Sequence, residues 1–378
     1  MNQKKIDRII VKLIDNTISE KESEILKAWL QNKANLEYFN AFVEVNHLTN
    51  ALHKFPYTNA LNKSLQQINK KRLHVKRLFR YGIAASVIAL LGFGYFMLNN
   101  NTNSVKVATQ NNIHAGTNKA TLTLEDGSKI ALEKGQNYIN NNIKSNGKEL
   151  IYSTPATTKQ SISYNYLTIP RGGQFLVNLS DGTKVWLNSD SQLKYPTNFI
   201  EGETRTVELV YGEAYFDVSP STINNGTKFK VLNNHQTIEV LGTEFNIKAY
   251  KEDTHILTTL VEGKVMVTNH TNSTVLKPNQ QSIITPNNNK IIVNTINVYN
   301  EISWKDGVFS FKNKPLKEIM MVLSRWYNVD VNFKNKNIEH ELFGGSFDKT
   351  QNIEEILTMI QNATNMSFII QNGQVIIE

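Results

Sequence analysis

The sequence predicts a multidomain membrane protein: an all-α head, one transmembrane helix, a mainly-β domain and a C-terminal α+β module. Three observations predict it. Tyr81–Leu98, YGIAASVIALLGFGYFML, carries no charge across 18 residues. As a helix it is about 27 Å long, close to the hydrocarbon thickness of a bilayer. Beyond residue 117 apolar and polar residues alternate in short runs broken by glycine, the pattern of strands. Beyond residue 301 a helix followed by a strand occurs twice.

Residues 1–80 read as helical. Ile6, Ile9, Ile10, Leu13 and Ile14 form one apolar stripe at helical spacing. Ser19-Glu20-Lys21-Glu22 is a capping box, and the helix it opens carries Ile25, Leu26, Trp29 and Leu30 on one face. A third helix runs from Leu36 through Phe39, Phe42 and Val43; a fourth, after Pro56, carries Leu61, Leu65 and Ile68. A core of this size is marginal. The faces therefore either pack weakly on one another or are completed by a partner.

The flanks orient the 81–98 segment. Lys70, Lys71, Arg72, Lys76, Arg77 and Arg80 precede it, and the first charge after it is Lys106. Positive residues stay on the cytoplasmic side of a short flank, so 1–80 are expected inside and 99–378 outside. A buried core helix does not suit six basic residues at one end. The formal charge of +8 follows the same division: 1–80 hold 15 basic and 7 acidic residues, and the remaining 26 of each sign balance. The basic excess is thus a topology signal with affinity for anionic lipid. The 99–116 stretch, rich in Asn and Thr, reads as a flexible linker.

There is no cysteine, which excludes disulfides, thiolate metal sites and thiol catalysis. Residues 117–300 read as an all-β sandwich, barrel or solenoid. Gly182, Gly212, Gly242 and Gly263 punctuate the strands, with Ala214–Val218 as a strand of its own. Leu122–Leu132 (LTLEDGSKIAL) is echoed by Val177–Leu187 (VNLSDGTKVWL), each a strand, an Asp-Gly turn and a strand. No HExxH, GxSxG or Walker A motif occurs. Glu213 and Asp217 share a strand face, which reads as solvated. No enzyme activity, metal or cofactor is expected.

In residues 301–378, Lys314–Phe333 and Gln351–Ile370 align at an offset of 37, with Leu316, Ile319, Leu323 and Asn328 matching Ile353, Ile356, Ile360 and Asn365. Each copy is an amphipathic helix, an Asn suited to the left-handed helix end, and a strand. Two βαβ units in a small two-layer domain follow.

The strings LTIPRGGQFLVNLSDGTKVWLNSDSQLKYPTNF, VELVYGEAYFDVSP, IEVLGTEFNIKAY, LVEGKVMV, LKPNQQSII and ISWKDGVFSF…LSRWYNVDVNF, in that order over about 120–378, resemble the FecR-like transmembrane anti-sigma factors of the Bacteroidetes type. The resemblance implies a solenoid-like β roll and a C-terminal module similar to the secretin/TonB short domain. It implies a single-pass inner-membrane protein with its C-terminus in the periplasm. The head would bind an extracytoplasmic-function sigma factor, with Ile25, Trp29, Leu30, Phe39 and Phe42 as candidate contacts. The outer part would bind the signalling domain of a TonB-dependent receptor, with Phe309, Phe311, Trp326, Phe343 and Phe347 as candidate contacts. A regulated protease that releases the head is a further expected partner, and nucleic acid is not. The family's Trp-rich sigma-contact segment is represented here by Trp29 alone.

Two other functions fit parts of the chain. A membrane-bound DNA-binding regulator would need a recognition helix, but Leu36–Leu48 is acidic to neutral and aromatic. A periplasmic glycan-binding module or hydrolase would use Trp186, Tyr195, Tyr211 and Tyr215 as stacking surfaces.

Overall fold

The computed structural model describes residues 6, 9, 19–32, 35, 39, 113–140, 142–153, 162–270, 272–286, 290–364 and 366–378. The chain divides into two compact units, Met1–Thr102 and Asn103–Glu378.

In the first unit the capping box is formed. The Glu22 amide donates to Ser19 Oγ at 3.4 Å and the Ser19 amide to Glu22 Oε2 at 3.1 Å, opening the helix Glu20–Trp29. Asn35 Nδ2 donates to the Trp29 carbonyl at 2.9 Å, satisfying an orphan acceptor near the helix end. Ile6, Ile9 and Leu26 are buried together, with Ile25, Trp29, Leu30 and Phe39 partly buried against them. Phe42, the six basic residues from Lys70 to Arg80 and the Tyr81–Leu98 segment lie outside the described residues.

The second unit begins with the β domain, whose described strands from Thr117–Thr123 to Ile291–Thr295 join in one pairing network round a single apolar core. The echoed motifs fold alike. In each, an aspartate accepts from the residue two positions on: Ser128 N–H to Asp126 at 2.9 Å, Thr183 N–H to Asp181 at 3.0 Å. The following glycines, Gly127 and Gly182, take φ of +83° and +86°, the conformation these three-residue hairpin loops demand.

The strand Arg205–Asp217 is the axis of the domain. Residues 205–208 run parallel to Phe229–Leu232 and 208–211 pair with 192–194. Beyond a register shift at Leu209/Tyr211, Gly212–Asp217 pairs with Glu244–Ala249, and Ala214–Asp217 with Lys184–Leu187. Gly212, expected as a break between strands, is instead the bend within one. Its φ is +98°, and a Cβ there would stand 2.2 Å from Ser191 Oγ. Only glycine lets the strand turn from one set of partners to the other.

These pairings correct the expected fold class. The described residues are mostly β, in a barrel-like sheet rather than the expected solenoid-like roll with an all-α head and a transmembrane helix. A solenoid pairs each coil with its neighbours. Here Thr117–Asn118 lies beside Gly173–Gln174, and one strand touches four others. Among the described residues no helix is long and apolar enough to cross a membrane.

The C-terminal module keeps its predicted helices, Leu316–Tyr327 and Ile353–Asn362, and every aligned apolar pair on them is buried. Asn328 takes the left-handed conformation, φ +51°, at the first helix end. The strands differ from two simple βαβ units. Val308–Pro315 pairs with Leu342–Asp348 in one sheet, whereas Asp330–Phe333, Gln374–Ile377 and Phe368–Gln371 form another. Each helix therefore connects two sheets.

Arg205 fixes the loops at one end of the β domain. It is 2% exposed; Nη1 donates to Asp181 at 2.7 Å and to the Ser219 carbonyl at 3.0 Å, and Nη2 to the Thr227 carbonyl at 3.1 Å. Breaking a buried pair from one side strands the other charge, at a cost of about 3–5 kcal/mol. Arg205→Ala is expected to lower stability by about that amount in urea unfolding, and Arg205→Ala/Asp181→Asn by less than the sum of its parts. Additive losses would contradict the pairing.

Candidate functional site

The second unit has a seam where the β domain meets the C-terminal module, and Arg171, Arg325 and Lys349 are among the cations that cross it. Each comes from an unremarkable position in the sequence and is fixed by the fold. Arg171 sits in the Pro170-Arg171-Gly172-Gly173 loop between two β-domain strands. Its Nη2 donates to the Ser324 carbonyl at 2.9 Å and to the Val329 carbonyl, and its Nη1 to Asp330 at 3.1 Å. The Gly172 amide donates to the Arg325 carbonyl at 2.7 Å. The loop thus caps the C-terminal end of the helix Leu316–Tyr327, where unsatisfied carbonyls and the negative end of the helix dipole favour a cation.

Arg325 projects the other way. It donates to Glu252 Oε1 from Nη2 at 2.6 Å and from Nε at 2.9 Å, and to Asp253 from Nη2 at 3.1 Å. Its guanidinium lies 3.6 Å from the ring centroid of Tyr250. Burial holds the Tyr250 hydroxyl well above the usual tyrosine range, so it remains a donor, bonded to the Ser189 carbonyl at 3.1 Å.

Lys349 is 2% exposed. Its ammonium stands 3.7 Å from the Trp326 ring centroid and donates to Gln174 Oε1 of the β domain at 2.8 Å. Burial pulls its pKa down to about 7, against the upward pull of Glu213. Glu213, expected on a solvated face, is buried at this seam. Asn188 and Asn246 donate to its carboxylate at 2.8 and 3.0 Å, and burial raises its pKa. Together with Lys248, Glu301, Trp304 and Lys314 it lines a small cavity of about 60 Å³, room for a water or two.

The candidate receptor contacts are brought together but not equally exposed. Phe309 and Trp326 lie inside the module core, edge to face at 6.3 Å, while Phe311, Phe343 and Phe347 are partly buried at its margin. The candidate sigma contacts Ile25, Trp29, Leu30 and Phe39 cluster in the head. Of the aromatic residues considered for sugar stacking, Trp186 is half-buried and meets Tyr215 edge to face at 5.7 Å, and the three tyrosines offer no open platform. Tyr195 is fully buried against Tyr152, Tyr215 is buried and bonded to Glu244, and the Lys251 ammonium covers the Tyr211 ring at 3.8 Å. Sequence reasoning missed Arg171, Arg325, Lys349 and Glu213. The available signal was a charge within an apolar pattern: Arg325 falls between Leu323 and Trp326, both buried.

Lys349 makes the seam sensitive to pH. Its folded pKa of about 7 lies below its ordinary 10.5. The unfolded chain therefore binds the extra proton between these values, and stability rises with pH across that window. The contribution is lost as pH falls toward 7. Between pH 7 and 9, Lys349→Met is expected to remove a positive slope of at most about 1.4 kcal/mol per pH unit from thermal-unfolding stability. Equal slopes in variant and parent would contradict this.

Residues 165–266 match the family described as FecR protein, and residues 308–377 the one described as FecR, C-terminal. These segments lie in the β domain and the C-terminal module. Two crystal structures, each described as a "putative anti-sigma factor" from Parabacteroides distasonis ATCC 8503, are similar to this chain at 28% identity and a TM-score of 0.51. They cover 56% and 57% of it and 98% of their own chains. No curated protein matches. The β domain and the C-terminal module thus each carry a match to a FecR family model, and over these segments the chain is similar to FecR-like anti-sigma factors.

Proposed function

We propose that this chain restrains an extracytoplasmic-function sigma factor through its head and reads a signal through residues 117–378. It acts by binding and catalyses no reaction. The observation that carries the sigma-factor reading is the head cluster. Among the described residues of the head, Ile6, Ile9 and Leu26 are buried together, and Ile25, Trp29, Leu30 and Phe39 are partly buried against them. Such a face gains from burial against a partner, and a tryptophan is a favoured anchor of that kind.

The outer partner on this reading is the signalling domain of a TonB-dependent receptor. Phe311, Phe343 and Phe347, partly buried beside the paired strands Val308–Pro315 and Leu342–Asp348, support the module as its docking face. Placement at the inner membrane, head inside, rests on sequence: 18 uncharged residues at 81–98 behind six basic ones. Release of the head by a regulated protease would end the restraint.

The test is co-purification of this chain with extracytoplasmic-function sigma factors from the same genome. Trp29→Ala is expected to weaken the complex ~30-fold or more, as loss of a ~2 kcal/mol anchor; Lys27→Ala, on the exposed side of the same helix, should leave it within about twofold. Failure of the parent chain to bind any such sigma factor would sink the proposal.

A further inference from the structure

Residues 113–116 precede the first β-domain strand in the sequence, yet they rest on the C-terminal module. Ile113 and Ala115 pack against the module's core, while His114 between them is exposed. Gly116 lies so close to the Trp326 ring that a Cβ would stand 2.6–2.8 Å from three of its carbons. The next amide, Thr117, donates to the Gly172 carbonyl at 3.0 Å, in the loop whose Arg171 caps the module's helix. The Trp326 indole also carries Lys349 over its ring at 3.7 Å and donates its N–H to the Lys349 carbonyl at 2.8 Å.

Every covalent path from the head to the β domain runs through residues 113–116. Their apolar side is covered by a module that the chain completes some 200 residues later and that charged contacts hold to the β domain. We propose that the C-terminal module is a clasp on this segment: while the seam is closed the segment is seated, and when the module undocks the segment is released and accessible. A partner that competes for the seam would thereby change the state of the chain leading to the head. The proposal goes beyond the functional reading above and does not depend on which partners bind.

The chain has no cysteine, so single thiols report accessibility without background. The experiment places Ala115→Cys in the full-length chain and measures its rate of modification by a maleimide. Leu342→Cys, at a residue 63% exposed, gives the open rate, and Ile356→Cys, at a fully buried residue of the module core, gives the closed one. The seam is then weakened from either side, by Glu252→Ala/Asp253→Ala or by Arg325→Ala. The expected result is slow labelling at 115 in the parent, at least tenfold faster labelling in both seam variants, and slow labelling at 356 throughout. Three results would overturn the clasp. Position 115 labels at the open rate in the parent; or it stays slow in either variant; or position 356 becomes fast along with it, which would mean that unfolding of the module, not undocking, frees the segment.

Discussion

Arg325 leaves the C-terminal module near the end of a helix and meets Glu252, Asp253 and the face of Tyr250 on the β domain. Its side chain is only 6% exposed. In water such a pair would contribute little, because screening and side-chain entropy offset the attraction. At the seam a buried guanidinium without partners would cost several kcal/mol. The arrangement is therefore asymmetric: docked, the cation is satisfied; undocked, it must be rehydrated as one body. Arg171, a third exposed, and Lys349, whose charged form burial disfavours, also reach across the seam. One caps a helix across the seam, and the other sits over Trp326 while reaching Gln174.

Charged docking differs from apolar docking in a way that suits a regulator. Apolar burial is non-directional and tolerates sliding. The forked donors of arginine fix orientation, because each N–H must meet its acceptor. On the clasp proposed above, the unit has two discrete states, closed or open, which is what a binding event needs if it is to act at a distance. Seating of residues 113–116 on Trp326 gives the closed state a physical meaning for the chain beyond the module.

Local chemistry was legible in the sequence, and long-range chemistry was not. The Asp-Gly hairpins, the capping box at Ser19 and the repeated helices with Asn328 at a left-handed end all depend on neighbours a few residues apart. They emerged where expected. Gly212 was misread because a glycine that bends a strand and one that ends it have the same local signature; the difference lies in Ser191, 21 positions earlier. Glu213 followed strand alternation but faced a module rather than solvent. Arg171 to Asp330 and Lys349 to Gln174 join residues 159 and 175 positions apart, and no periodicity encodes such a pairing. The solenoid expectation failed for the same reason, since the strand partners of Arg205–Asp217 are set by the whole sheet. Of the head, legible as helical stripes, the described residues include the helix Glu20–Trp29 and the cluster of Ile6, Ile9 and Leu26, while Phe42 and the 70–98 region fall outside the described residues.

The central claim is that the seam makes the β domain and the C-terminal module a single body. A pair of spin labels, at Val275→Cys in the β domain and Leu342→Cys in the module, tests it directly, since both residues are exposed and the chain has no other thiol. The account predicts one narrow distance distribution in the parent chain and a broad one after Arg325→Ala. A broad distribution in the parent, or one that Arg325→Ala leaves unchanged, would contradict it.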